Sequence, residues 1–146
     1  MGKKILKLDP QIQEEYLVAG IISGFKNYRI CFELNKNLKI DLSRVEDFTL
    51  ESDRPGSMTC HAKYKWKGDF ADTCVLLSNK DSRSTGYFCP EYKNIDYFLI
   101  FDAPLSVDDF EKCKQKIRDI DVITGVYEID LKKIKSADAF YILLQI

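Results

Sequence analysis

The sequence contains one histidine, His61, and that scarcity confines histidine-based catalysis to a single position before any fold is considered. Any Ser-His-Asp or Cys-His arrangement would have to use it. No glycine-rich phosphate cradle occurs. The dinucleotide pattern GxGxxG and the P-loop pattern GxxxxGK followed by Ser or Thr are both absent, and SGFKNY and STGYF carry single glycines. The usual nucleotide-dependent reactions are therefore disfavoured, and no cofactor is expected. Closely spaced cysteines are missing too. Cys31, Cys60, Cys74, Cys89 and Cys113 stand far apart, so local spacing builds neither a zinc ribbon nor a thioredoxin-like pair. An odd number of scattered thiols reads as reduced, small apolar core residues in an intracellular protein.

Long hydrophobic runs are also lacking, and none reaches the length of a bilayer span. MGKKILKLDP has lysines but no apolar leader region behind them. Leu6 stands where N-myristoylation needs Ser or Thr. These absences predict a cytoplasmic protein with no membrane partner. Charge of one sign does not dominate either. Against 22 Lys and Arg stand 23 Asp and Glu, which makes nucleic acid an improbable partner, because dedicated binders carry a clear basic excess.

What is present fits one α+β domain over residues 1–146. A 45% apolar and 31% charged composition is that of a globular chain able to bury a core, and nine Phe with eight Tyr make that core aromatic. Lys3–Leu8 reads as an edge strand. EYLVAGIIS (15–23) is a continuous apolar run that fits a buried strand, although periodicity alone leaves a helix open. FKNYRICFELNKNL (25–38) has helical spacing, with Tyr28, Cys31, Phe32, Asn35 and Leu38 on one face. In MTCHAKYKWKGDFADTCVLLS, Cys60, Ala62, Tyr64 and Trp66 alternate with His61, Lys63, Lys65 and Lys67, the period of a strand with one buried face. Gly68-Asp69 suits a tight hairpin. A two-residue loop would set Lys65 opposite Asp72; a three-residue loop is the alternative, and the register stays open. Tyr97–Phe101 is apolar on both faces, as in the middle of a sheet. Ser106 caps a helix whose buried stripe is Val107, Phe110, Cys113 and Ile117. Ile123–Ile129 is the next strand, completing a C-terminal βαβ unit. AFYILLQI (139–146) reads as a last apolar strand. The expected architecture is a mainly antiparallel sheet with two main helices, ferredoxin-like by fold-level analogy, with extra terminal strands.

Cys60-His61 looks like a thiol beside its base, but neighbouring strand residues point to opposite faces. A dyad needs the two within hydrogen-bond reach. His61, Lys63, Lys65 and Lys67 are expected to form an outward basic stripe, either a solvated edge whose lysines block edge pairing or an RNA contact. The stripe lacks the aromatics of a base-stacking platform, which favours the solvated edge. Glu91 and Asp96 flank the turn before the Tyr97 strand. They could serve as an acid/base pair or bind a hard cation; turn carboxylates more commonly accept backbone N–H bonds.

At this turn the chain reads Cys89-Pro90-Glu91-Tyr92-Lys93-Asn94-Ile95-Asp96-Tyr97. It resembles the signature of the IPExxxVDY family of uncharacterised bacterial proteins, with Cys89 in place of Ile and Ile95 in place of Val. The segments FKNYRICFELNKNL and GVYEIDLKKIKS extend the resemblance over most of the chain. It implies a small cytoplasmic protein with no assigned substrate, cofactor, metal or catalytic residue. Pro90, Glu91, Asp96 and Tyr97 then read as a structural corner feeding the central strand, or as a contact surface at its entrance.

The expected function is a non-catalytic protein-interaction or adaptor module, not an enzyme. Its partner is an unknown protein, or a second copy paired through the terminal strands Lys3–Leu8 and Ala139–Ile146. Two alternatives stand beside it. One is a metal-dependent or acid/base enzyme using Glu91, Asp96 and Glu128 at strand ends. The other is an RNA-associated protein using the Lys63–Lys67 stripe.

Overall fold

The computed structural model describes residues 16–51, 56–67, 73–80, 82–83, 86–102, 106–135 and 137–144. In chain order these form β1 (Tyr16–Ile22), α1 (Asn27–Leu38), β2 (Ser43–Glu51), β3 (Met58–Lys67), β4 (Thr73–Ser78), β5 (Tyr97–Asp102), α2 (Val107–Arg118), β6 (Gly125–Ile129) and α3 (Ala137–Leu144). Short 3-10 turns occupy Pro90–Tyr92 and Leu131–Lys133. The fold is α+β. Its six strands make one antiparallel sheet in the order β2-β3-β4-β5-β1-β6.

The first strand sits inside the sheet. β1 pairs on one side with β5, Val18 opposite Ile100, and on the other with β6, Val18 opposite Ile129. Its continuous apolar run is thereby explained, because both its edges and both its faces are covered. Ala19 and Ile21 face a core shared with Ile30 and Leu34 of α1 and with Phe110 and Ile117 of α2. Val18 faces the opposite core, built from Phe88, Ile95, Leu131, Phe140 and Leu143. Gly20 lies under Ile95 and Ile129, and a Cβ there would meet the Ile95 Cδ1 methyl at 3.0 Å. The bare backbone is what lets the 88–95 segment seat on the sheet.

Two expectations are corrected and one, the βαβ unit, is refined. Residues 139–144 belong to helix α3, not to a strand. Ala139, Phe140 and Leu143 are buried while Ile142 is 46% exposed, a period of three to four that no strand produces. Asp138 in its first turn suits a helix start. The terminal-strand pairing therefore loses one of its two strands, and the other, Lys3–Leu8, lies outside the described residues. The strands beyond the β6-β1-β5-β4 core are β2 and β3, which follow α1 in the chain. Secondly, β5-α2-β6 is a split unit, its two strands separated by the antiparallel β1. Thirdly, β3 pairs with β4 so that Lys65 faces Val75, with Tyr64 opposite Leu76 and Trp66 opposite Cys74. That register matches apolar partners on the helix-covered face; Lys65 opposite Asp72 would have broken the match. Gly68-Asp69 lies outside the described residues.

Ser106 caps α2 as expected, its Oγ accepting from the Asp109 N–H at 3.0 Å. The stripe of α2 holds one residue the apolar pattern omits. Lys114 is buried because Glu111 and Glu128 reach its amine at 2.7 and 3.0 Å. Burial alone would lower its pKa; the bonds and charges of the two glutamates outweigh that and raise it.

Candidate functional site

The corner CPEYKNIDY is organised around a residue outside it. Asn79 is wholly buried. Its Oδ1 accepts from the Cys89 N–H at 2.8 Å, and its Nδ2 donates to the carbonyls of Tyr92 and Ile95, both at 2.9 Å. Its own N–H donates to Asp96 O, and its carbonyl accepts from Phe88 N. Pro90 opens the 3-10 turn at a position that needs no donor. Ile95 goes into the core, at 2% exposure.

Each signature side chain then ties this corner to a different element. Glu91 Oε2 accepts from the Lys135 N–H just before α3, and its Oε1 accepts from Cys89 Sγ at 3.6 Å. Asp96 Oδ2 accepts from the Ser23 N–H at 2.9 Å, at the end of β1. Tyr97 Oη donates to the Phe25 carbonyl at 2.6 Å, at the start of α1. Burial, with Asp96 and Tyr64 nearby, pushes the Tyr97 phenol up to about 12, so it stays a donor throughout the ordinary pH range. Ser23 Oγ donates to Val122 O at 2.6 Å, which ties the same corner to the turn between α2 and β6.

The carboxylates considered for catalysis are each tied to a different element. Glu91 holds Lys135, Asp96 holds Ser23, and Glu128 holds Lys114. Among the described residues no three of His, Cys, Asp and Glu converge as metal ligands. What the corner carboxylates do chemically is accept backbone N–H groups, the ordinary work of acids in turns.

The outward basic stripe is a further correction. His61 and Lys63 are buried, at 0% and 5% exposure; Lys65 is half-buried and only Lys67 is exposed. Alternation placed these residues on one face, but that face is covered by the 88–95 segment and α3. The His61 ring lies edge-on to Phe88 at 5.8 Å. Its Nδ1 faces the Ser78 carbonyl at 3.0 Å and must donate, since a carbonyl can only accept. Nε2 lies 2.9 Å from the Thr59 hydroxyl, which is also within 3.3 Å of Leu50 O. Cys60 sits on the other face, its Sγ donating to Asp47 Oδ2 at 3.2 Å. The two form no dyad, as strand alternation required. Burial, with Lys65 beside it, lowers the pKa of Lys63.

The largest departure lies on α1. Its buried stripe is Ile30, Cys31 and Leu34, whereas Tyr28 and Phe32 point outward, 66% and 58% exposed, and Phe25 joins them at 47%. Tyr28 and Phe32 stand one turn apart on a single face. The Arg29 guanidinium lies over the Phe25 ring at 5.6 Å and bonds Glu33 at 3.0 Å. Two phenols fix the base of this helix. Tyr97 Oη holds Phe25 O, and Tyr64 Oη donates to Asn27 Oδ1 at 2.6 Å. The corner thus anchors the start of the aromatic face. Comparison with protein-family models finds no match, and comparison with curated proteins finds none.

Proposed function

We propose that the protein is a non-catalytic interaction module, a small adaptor that offers the outer face of α1 to a protein partner, and we place it with the IPExxxVDY proteins it resembles. The observation that carries this reading is the exposure of Phe25, Tyr28 and Phe32 on one side of a helix whose base is pinned from beneath. Three half-exposed aromatics amount to on the order of 300 Å² of ring surface. Apolar patches of that size on a monomer are commonly functional. The candidate acid–base groups support the same reading, because each is engaged in a structural bond.

Affinity purification of the tagged chain from its native cell, beside a Tyr28→Ser/Phe32→Ser variant, tests this. A stoichiometric partner should accompany the parent chain and be lost from the variant while the melting temperature stays the same. Retention of the partner by the variant would refute the reading, as would turnover of any substrate.

A further inference from the structure

The aromatic face also carries charge of one sign. Between Lys26 and Lys39 stand four basic side chains and a single acid, Glu33, which Arg29 already engages. Lys26, Arg29, Lys36 and Lys39 are all exposed. Lys36 follows Phe32 by four positions and so continues the aromatic stripe along the helix axis, and Lys39 caps the end of the helix in the left-handed conformation. The start of α1 adds the same sign: its first turn holds no acid, and no side chain caps it. Over the whole chain the formal charge is only −1, so this positive surface is local and coincides with the exposed rings.

We infer that the occupant of this face is an acidic amphipathic helix of a partner protein. Its apolar side chains, at three- and four-residue spacing, lie on Phe25, Tyr28 and Phe32, and its Asp and Glu residues meet Lys26, Arg29, Lys36 and Lys39. This inference rests on the interaction-module reading. A second copy of the chain fits poorly, because a symmetric pairing would set two basic stripes against each other. Single-stranded nucleic acid would find rings and cations, but on a convex helix rather than in a groove. It would also meet the exposed Asp108, Asp109 and Glu111 of the neighbouring α2, which a short peptide can avoid.

The test uses three labelled probes on the full chain: a peptide of about 16 residues with Leu at helical spacing and Glu on its flanks, the same peptide with Lys for Glu, and an oligothymidylate of equal length. Fluorescence anisotropy gives affinity, and amide shifts map the site. The Glu peptide should bind at least about tenfold tighter than the Lys peptide. It should weaken between roughly 50 and 300 mM salt and perturb residues 25–39. Phe32→Ser should weaken it, and Lys36→Glu/Lys39→Glu should reverse the preference between the two peptides. Absence of binding, preference for the Lys peptide or the oligonucleotide, shifts confined to other elements, or concentration-dependent dimers that Phe32→Ser abolishes would each overturn the assignment. Were the peptide arm to fail while a co-purified partner still depended on Tyr28 and Phe32, the acidic helix would fall and the interaction module would stand. Loss of that dependence as well would remove both.

Discussion

Every hydrogen-bonding atom of Asn79 is engaged, and through it the Phe88–Asp96 segment is fastened over the sheet. Asn79→Ala leaves Cys89 N and the Tyr92 and Ile95 carbonyls without that partner in a buried setting. The expected loss is about 3–5 kcal/mol, read as a lower urea midpoint. Tyr97→Phe separates packing from bonding at the same corner. The ordinary phenol value of 10.0 is raised to about 12 in the fold, chiefly by burial. The folded state therefore holds its proton after the unfolded state has released it, so the stabilisation is complete below pH 10 and is lost as pH climbs towards 12. Urea unfolding of the parent chain should weaken by about 2–3 kcal/mol across that window, and Tyr97→Phe should flatten this part of the slope. Lys63 has the opposite sign. Its pKa is lowered by burial and by Lys65, so its charge costs the fold stability at neutral pH, and the cost fades as pH rises towards the ordinary lysine value of 10.5. Lys63→Met should raise the melting temperature at pH 7, with a smaller gain near pH 10. The turn before the Tyr97 strand was legible in the chain; the burial of Asn79 and Lys63 was not. An Asn in a polar loop reads like any turn residue, and a His and a Lys alternating with core residues read as outward, because alternation separates two faces without saying which of them is covered.

The helices show where periodicity succeeds and where length misleads. α2 follows its capping serine and its apolar stripe at Phe110, Cys113 and Ile117, the Val107 side chain lying outside what is described, and α1 lies where its spacing places a helix. The face α1 buries was misread, because Tyr28 and Phe32 share helical spacing with Cys31, yet the buried stripe runs through Ile30, Cys31 and Leu34. α3 was hidden by a run of apolar residues as well suited to a strand. Its buried positions are nonetheless at helical spacing, and Phe140 packs against Phe88 and Phe98 with ring centroids 4.9 and 5.2 Å away. Phe140→Ala should cost about 3–5 kcal/mol by thermal or chemical unfolding. Phe32→Ser should change stability by no more than about 0.5 kcal/mol, since its ring stands in solvent. A contrast of that size between two phenylalanines would verify which face each helix buries.

At the scale of the whole molecule, the α+β class and the central place of β5 could be read from composition and from a strand apolar on both sides. The strand order could not, because the sheet joins residues distant in the chain. Each face of the sheet has its own cover, α1 and α2 on one side and the 88–95 segment with α3 on the other. Most strands are accordingly rich in apolar residues, although the sheet is antiparallel throughout.

The position of β1 has a consequence for synthesis. Both of its neighbours are encoded far downstream, so a ribosome must extend the chain through Ile100 before Val18 can gain its first lateral partner and through Ile129 before it gains the second. Until then a stretch of Leu, Val, Ala and Ile trails beyond the exit tunnel with its amides unmated. Such delayed closure favours slow folding, on the order of milliseconds to seconds, and leaves an apolar stretch exposed to aggregation during that wait.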